Sequence, residues 1–413
     1  MKKTILTINL LFIVSIFIGC SSEEEDYYEP LNITLTRSET NAVEAVNDFT
    51  FDLMRASENR LGDEMQNYFI SPQSAAWCLA MIANGADDNS ETLMEITKAL
   101  HLGEDATLQD VNDYCSKLIS AVSKKTKLST FSVANALYYK DYIGIKKEYV
   151  DVLKTFYNIE ELRNSSNSDI DSWVSKKTGG LIKDFASKND LDKNSFGVIN
   201  STFLTLEWVS KCDLANSELT EFRNADGSIS NIPMLITVGG SESISRDEIC
   251  YLLRIRLSDV SYAIYFIIPN EQHNIQDVLK HLNNESWKYL LNNNNLGGCR
   301  TIKFPELDIS TDFDFIDIIQ DMGIKKIFSS DNELGNIAET PLIINKFNQS
   351  NVLKLDERGI KTSSSSYIGD EPLSFSPGNY FIMDEPFYYF ITEESTGAIL
   401  FAGKTSYMPP YTN

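Results

Sequence analysis

Apolar positions fall into three kinds of pattern along this chain. Ile5 to Ile18 is an almost unbroken apolar stretch behind Met1-Lys2-Lys3. From Asn41 to Glu58 the apolar residues Val43, Val46, Phe49 and Leu53 recur at three- and four-residue spacing, which predicts an amphipathic helix. A second helix is predicted from Pro72, capped by Ser71 and stopped at Gly85. Towards the C-terminus the runs shorten. Val352–Leu355, Phe387–Thr392 and Ile399–Phe401 read as strands, the last two joined by Glu393-Glu-Ser-Thr-Gly397 as a hairpin.

Between the first of those strands and the hairpin lies Asp356 to Gly378, which fits neither a strand nor an ordinary linker. Gly359 is a natural hinge, because glycine adopts backbone angles that other residues avoid. In an extended conformation successive side chains alternate between faces. Ile360, Thr362, Ser364, Ser366 and Ile368 would then share one uncharged face, with Lys361 and Tyr367 on the other and the first charge at Asp370. Read from these residues alone, a flexible Ser-rich surface loop is the favoured reading, because Ser runs are common and alternation over so few residues is cheap.

Composition narrows the class. Hydrophobic residues make up 42% and charged residues 23% of the chain, enough to bury a large core. The formal net charge of −23 argues against a nucleic-acid partner or an anionic membrane surface. Setting Cys20 aside, Cys78, Cys115, Cys212, Cys250 and Cys299 are scattered, odd in number and without CxxC spacing. Buried free thiols are expected rather than a disulfide framework or a metal site. His101, His273 and His281 are the three candidate bases. None stands in a catalytic motif, so no enzyme activity and no cofactor are expected.

The basic start and apolar core form an export signal, too short for a confident membrane span. Phe17-Ile18-Gly19-Cys20 resembles a bacterial lipobox, which implies cleavage before Cys20 and lipidation there. Ser21 to Asp26 adds an acidic run that reads as a solvated tether. A short acidic run in that place resembles the surface-export signal of Bacteroidetes lipoproteins. The expected organisation is a signal peptide over 1–19, a tether over 20–40 and one folded domain over 41–413. An outer-membrane anchor at the cell surface is expected, with periplasmic or secreted forms as alternatives.

The ordered series Phe381, Pro386-Phe387, Tyr388 to Ile391, Thr396-Gly397, Ile399 to Phe401 and Gly403-Lys404 resembles the C-terminal signature of the serpin family. Other segments resemble the family in order: Ser71-Pro-Gln-Ser74 with its long apolar helix and Gly85-Ala86, Val133-Ala-Asn-Ala-Leu-Tyr138, Ile170 to Ile182 with Trp173-Val174, Val198 to Phe203 followed by Trp208, Phe304-Pro305, and Met322-Gly-Ile324 with Phe328. The resemblance implies an α+β serpin fold, with three β-sheets, eight to nine helices and an exposed reactive-centre loop over about 357–380. It places Ser74, Asn200 and Gln349 in a polar network at mid-sheet and Trp208 where the loop first enters the sheet. Departures also stand out. Leu204, Thr205 and Leu206 replace Phe-Lys-Gly, Cys212 replaces Phe, and Asp171 stands where Asn is usual. Glu306 stands where a Lys often pairs with the acidic residue before the hinge, here Glu357, so that ion pair is expected to be missing.

Such a resemblance implies an inhibitor that traps proteases as a suicide substrate, its cleaved loop inserting into the central sheet. The hinge would comprise Glu357, Gly359, Ile360 and Thr362, Ser363, Ser364, Ser365 and Ser366. Counting fourteen onward from Gly359 puts the bait bond at Leu373–Ser374; counting back from Pro386 puts the bait at Phe375. Both bait residues are large and apolar, which points to chymotrypsin-, elastase- or subtilisin-like serine proteases, with a papain-like cysteine protease also open. A monomer is expected. A non-inhibitory serpin acting as a surface binding protein is the alternative, favoured by Ile360, Glu306, Gln349 and the altered segment after Phe203.

Overall fold

The computed structural model describes residues 29–62, 65–122, 128–191, 194–209, 212, 219–293, 298–360 and 380–411. Helix α1 spans Arg37–Leu61. It starts there because Thr36 and Glu39 form a reciprocal capping box, and it stops at Gly62, whose φ is +62°. Val43, Val46, Phe49 and Leu53 all face the core. The folded body therefore begins upstream of the expected boundary at 41: Ile33 is buried, and Leu31 and Leu35 pack against the core. Helix α2 spans Pro72–Ala83, its N-terminus capped by Ser71. Nearly every residue of α2 is buried, so it is a central helix rather than an amphipathic surface one. Asn84 is its C-cap. Gly85 is needed for space, since a Cβ there would lie 2.1 Å from Ile337. Ten α-helices are present among the described residues, two of them only five and six residues long.

In chain order the strands are β1 Tyr68–Ile70, β2 Ser129–Tyr139, β3 Ile159–Arg163, β4 Phe196–Glu207, β5 Thr220–Arg223, β6 Ile229–Ile232, β7 Met234–Arg246, β8 Cys250–Arg256, β9 Tyr262–Pro269, β10 Gly298–Pro305, β11 Leu307–Asp314, β12 Asn348–Asp356, β13 Gly359–Ile360, β14 Tyr380–Ile382, β15 Phe387–Glu393 and β16 Ala398–Thr405. They form three sheets. The largest has the order β1-β16-β15-β9-β8-β7-β10-β14, the second β11-β12-β13-β4-β2-β3, and β5 pairs with β6. β9, β15 and β16 are buried throughout, as expected of strands covered on both faces.

The β15–β16 turn is held by a buried carboxylate. Glu393 accepts hydrogen bonds from the backbone and hydroxyl groups of Ser395 and Thr396 at 2.5 to 2.9 Å. Lys404, 3% exposed, pairs with Glu58 at 3.3 Å. The hydroxyls of Tyr68 and Tyr388 donate to the same carboxylate at 2.8 and 2.9 Å. The C-terminal signature is thus a packed hairpin tied to the end of α1.

A sheet opening as the candidate functional site

The second sheet holds an irregularity. β13 is two residues long and lies between β12 and β4, antiparallel to both. Gly359 pairs with Asp356 and Glu207, and Ile360 pairs with Leu355 and Leu206. β12 and β4 have no ladder with each other among the described residues. Below Ile360 their facing edges are separated by cavities. One is lined by Ile360, Leu353, Asn351, Thr202 and Leu204. A second is lined by Ser74, Asn200, Thr202, Asn348 and Asn351. A third, lower and more apolar, takes in Cys78, Phe185, Phe196, Phe315 and Phe347. Shared wall residues make these one continuous slot along the two strands.

Gly359 is required where it stands. Its φ is +148°, and a Cβ would lie 2.1 Å from the Leu206 carbonyl oxygen, so glycine alone lets β13 begin here. The support around it comes from Trp208, whose backbone N–H donates to the Arg358 carbonyl at 3.0 Å and whose indole donates to the Asp356 carbonyl at 2.8 Å. The Cys212 N–H donates to the Glu357 carbonyl at 3.0 Å. Glu306 stands opposite Asp356, one step beyond the Leu307–Leu355 pair. Burial first, then the charges of Glu357 and Asp356, raise the Glu306 carboxyl above its ordinary range. Arg358 lies 3.3 Å from Glu357; the sequence reading did not single it out.

At mid-slot the expected polar residues are only partly brought together. Gln349 accepts from the Ser71 N–H at 3.0 Å and donates to the Ser71 carbonyl at 2.8 Å. The Ser71 and Ser74 hydroxyls are 2.8 Å apart, and Ser74 reaches Thr202 at 3.4 Å. Asn200 lines the slot but bonds a different partner: its amide donates to Asn135 at 2.7 Å, and its side-chain oxygen has no hydrogen-bond partner. Asn348 likewise has an unpartnered buried oxygen. Ser71, Asn135, Asn351 and Thr202 are members the sequence reading missed. Burial pushes the Cys78 thiol up to about 12, with the Asn200 backbone opposing that rise.

Glu357, Gly359 and Ile360 of the hinge lie in the described structure. Thr362, Ser363, Ser364, Ser365, Ser366, Leu373, Ser374, Phe375 and Cys20 lie outside the described residues. His101 pairs with Asp52 and His281 with Asp247, each at 2.7 Å, and His273 bonds Asn270. Cys250 approaches Asp247 rather than His281, and burial raises its thiol. Cys78, Cys115, Cys212 and Cys250 are unbridged, the last three of them buried.

A three-sheet α+β body whose central sheet is parted by a two-residue strand defines the class. A sequence model of serpins (serine protease inhibitors) matches residues 44–408: the chain belongs to the serpin family. It is 25% identical to alpha-1-antitrypsin of Meriones unguiculatus over 86% of this chain and 88% of that one. It is 24% identical to human serpin B4 over 88% and 98%. An uncharacterized serpin-like protein of Thermococcus kodakarensis is 23% identical over 98% of both chains. Among solved structures, the thermophilic serpin tengpin in its native state superposes with a TM-score of 0.77 at 21% identity, covering 92% of this chain and 98% of that one. Thyroxine-binding globulin in complex with thyroxine gives 0.76 at 20% identity, covering 90% and 100%.

Proposed function

We propose that the protein inhibits endopeptidases by trapping them as a suicide substrate. The observation that supports this most is the slot between β4 and β12, begun by β13 and continued by two strand edges that lack partners there among the described residues. A strand continuing the register of β13 would set position 362 against Leu353 and Leu204, 364 against Asn351 and Thr202, and 366 against Gln349 and Asn200. Thr362, Ser364 and Ser366 occupy those positions. They are small and uncharged, and in such a strand they would share the face on which Ile360 is buried. Their insertion would give the backbone groups of both edges hydrogen-bond partners, which buried backbone requires.

Chemistry starts at the bait bond. The hydroxyl of the target's nucleophile adds to the Leu373 carbonyl, the Leu373–Ser374 C–N bond breaks, and Ser374 leaves as a new amino terminus. Leu373 remains as an acyl ester on the protease. The freed segment then inserts and carries the protease with it, distorting its active site before water can release it. Phe375 is the alternative bait. The apolar bait directs this reading to chymotrypsin-, elastase- or subtilisin-like targets, and a papain-like cysteine protease fits it too. Anchoring through lipid on Cys20, at the cell surface, belongs to the same proposal.

A second reading, a non-inhibitory binding serpin, is favoured by one observation. Glu306 places a third carboxylate beside Asp356 and Glu357 at the mouth of the slot. Trapping by the parent chain separates the two readings, and Thr362→Arg then tests insertion, because it puts a charge on the inserting face. Loss of trapping with retained cleavage at the bait supports insertion; unchanged trapping contradicts it.

A further inference from the structure

Leu31, Ile33 and Thr34, just ahead of α1, are anchored. The Leu31 N–H donates to Ser261 Oγ at 2.8 Å and the Ile33 N–H donates to Ser395 Oγ at 3.0 Å. Ile33 is 8% exposed, with Leu31 and Leu35 packed beside it. Lys117 holds the Thr34 carbonyl at 3.2 Å while pairing with Glu39 at 2.6 Å. The segment therefore straps two adjacent turns, β8–β9 at Ser261 and β15–β16 at Ser395, which the Glu394 N–H also joins by donating to the Ser261 carbonyl at 2.8 Å.

The β8–β9 turn is also the one that backs the hinge. The Ser261 N–H donates to Asp259 at 3.0 Å, and the Ser129 hydroxyl donates to the other oxygen of that fully buried carboxylate. Ser129 pairs with Leu206, and Leu206 pairs with Ile360. A second route runs through Ser258. Its N–H donates to the Glu207 carbonyl and its hydroxyl to the Trp208 carbonyl, both at 2.7 Å. Glu207 pairs with Gly359, and Trp208 bonds Arg358. Two hydrogen-bonded paths thus join one turn to both residues of β13.

We propose that Leu31–Leu35 is a strap, and that Ile33, Ser261 and Asp259 are positioning residues that set how firmly the hinge is held in the sheet. Loosening the strap lets the β8–β9 turn shift, withdraws support from Leu206 and Trp208, and frees β13. An effect on protease trapping rests on the inhibitory reading above; the coupling of strap to hinge does not.

The test is hydrogen exchange on the purified protein, comparing Ile33→Ser with the exposed neighbouring change Asn32→Ser. The expected result is exchange at least about tenfold faster in peptides covering 204–208 and 355–360, with the remote helix Asn167–Lys177 unchanged. Acceleration confined to 31–36, 258–261 and 393–397 would overturn the proposal. If Ile33→Ser lowers global stability and speeds exchange everywhere, Ser261→Ala serves instead, since it removes the Leu31 bond and leaves the apolar core intact. Faster exchange at the hinge in that variant supports the strap, and none overturns it. Protein that proves to be a mere protease substrate, yet still shows the hinge response, would sink the inhibitory reading and leave this one standing.

Discussion

Glu306 sits where the β11–β12 ladder ends, so its carboxyl meets Asp356 across the sheet and Glu357 beyond it. Like charges in a half-buried place favour the protonated form. The sign follows from its raised pKa. Glu306 costs the hinge little below the ordinary carboxylate range, and its cost appears as pH rises through its elevated value. Glu306→Lys reverses the sign of the charge beside Glu357. It is expected to slow heat-induced conversion to a loop-inserted form several-fold at pH 7, with the advantage shrinking towards pH 4, where Glu306 in the parent chain takes up its proton. The rates of conversion at the two pH values check this; an equal ratio at both would remove the charge cluster from the account. At the bait, Leu373→Arg should shift trapping from chymotrypsin-like targets to trypsin, read as covalent complex formed with each. No shift would move the bait to Phe375.

At the scale of the elements, the slot changes character along its length. Its upper part presents Leu353, Asn351 and Thr202, and its lower end is walled by Phe185, Phe196, Phe315 and Phe347. The β13 register would bring position 368 to Val198 and Phe347, and position 370 to Phe196 and Asn345. Ile368 suits that end; Asp370 does not. An unpaired carboxylate moved into an apolar site costs several kcal/mol or takes up a proton. Lys346 lines the same cavity but is itself exposed, so it offers only a solvent-screened partner. Asp370→Ala should therefore improve trapping at pH 7, lowering the number of inhibitor molecules consumed per protease about two-fold or more. An unchanged stoichiometry would mean that insertion stops short of position 370.

These elements were legible to unequal degrees. The hairpin β15–β16 was readable because its apolar runs and Thr396-Gly397 turn are local, although the reason for the turn, the buried Glu393, needed the structure. Asp171 looked like a departure, yet it accepts from the Ala186 N–H at 2.6 Å, as an amide oxygen would. The bond from Asn200 to Asn135 was not legible, because it depends on which side an amide turns across two paired strands. The strap was missed because an acidic run upstream read as tether as far as residue 40. Thr36-Arg-Ser-Glu39 carried the corrective signal, a capping box that starts the helix at Arg37.

For the whole molecule, the account is one of a sheet kept open. In the proposed inhibitory reading, the free energy that would drive insertion is the pairing of two strand edges and the burial of Thr362, Ser364 and Ile368 between them. The hinge, the Glu306 cluster and the strap set when that happens. The central claim is that this release is coupled to capture of a protease. The measurement that tests it most directly is a denaturing gel after mixing the purified protein with chymotrypsin, elastase, subtilisin and papain in turn, with sequencing of the released C-terminal peptide. The account predicts a band at the summed mass that survives boiling with at least one of them, and a peptide beginning at Ser374. Clean cleavage in the loop, with every protease still active and no such band, would contradict it.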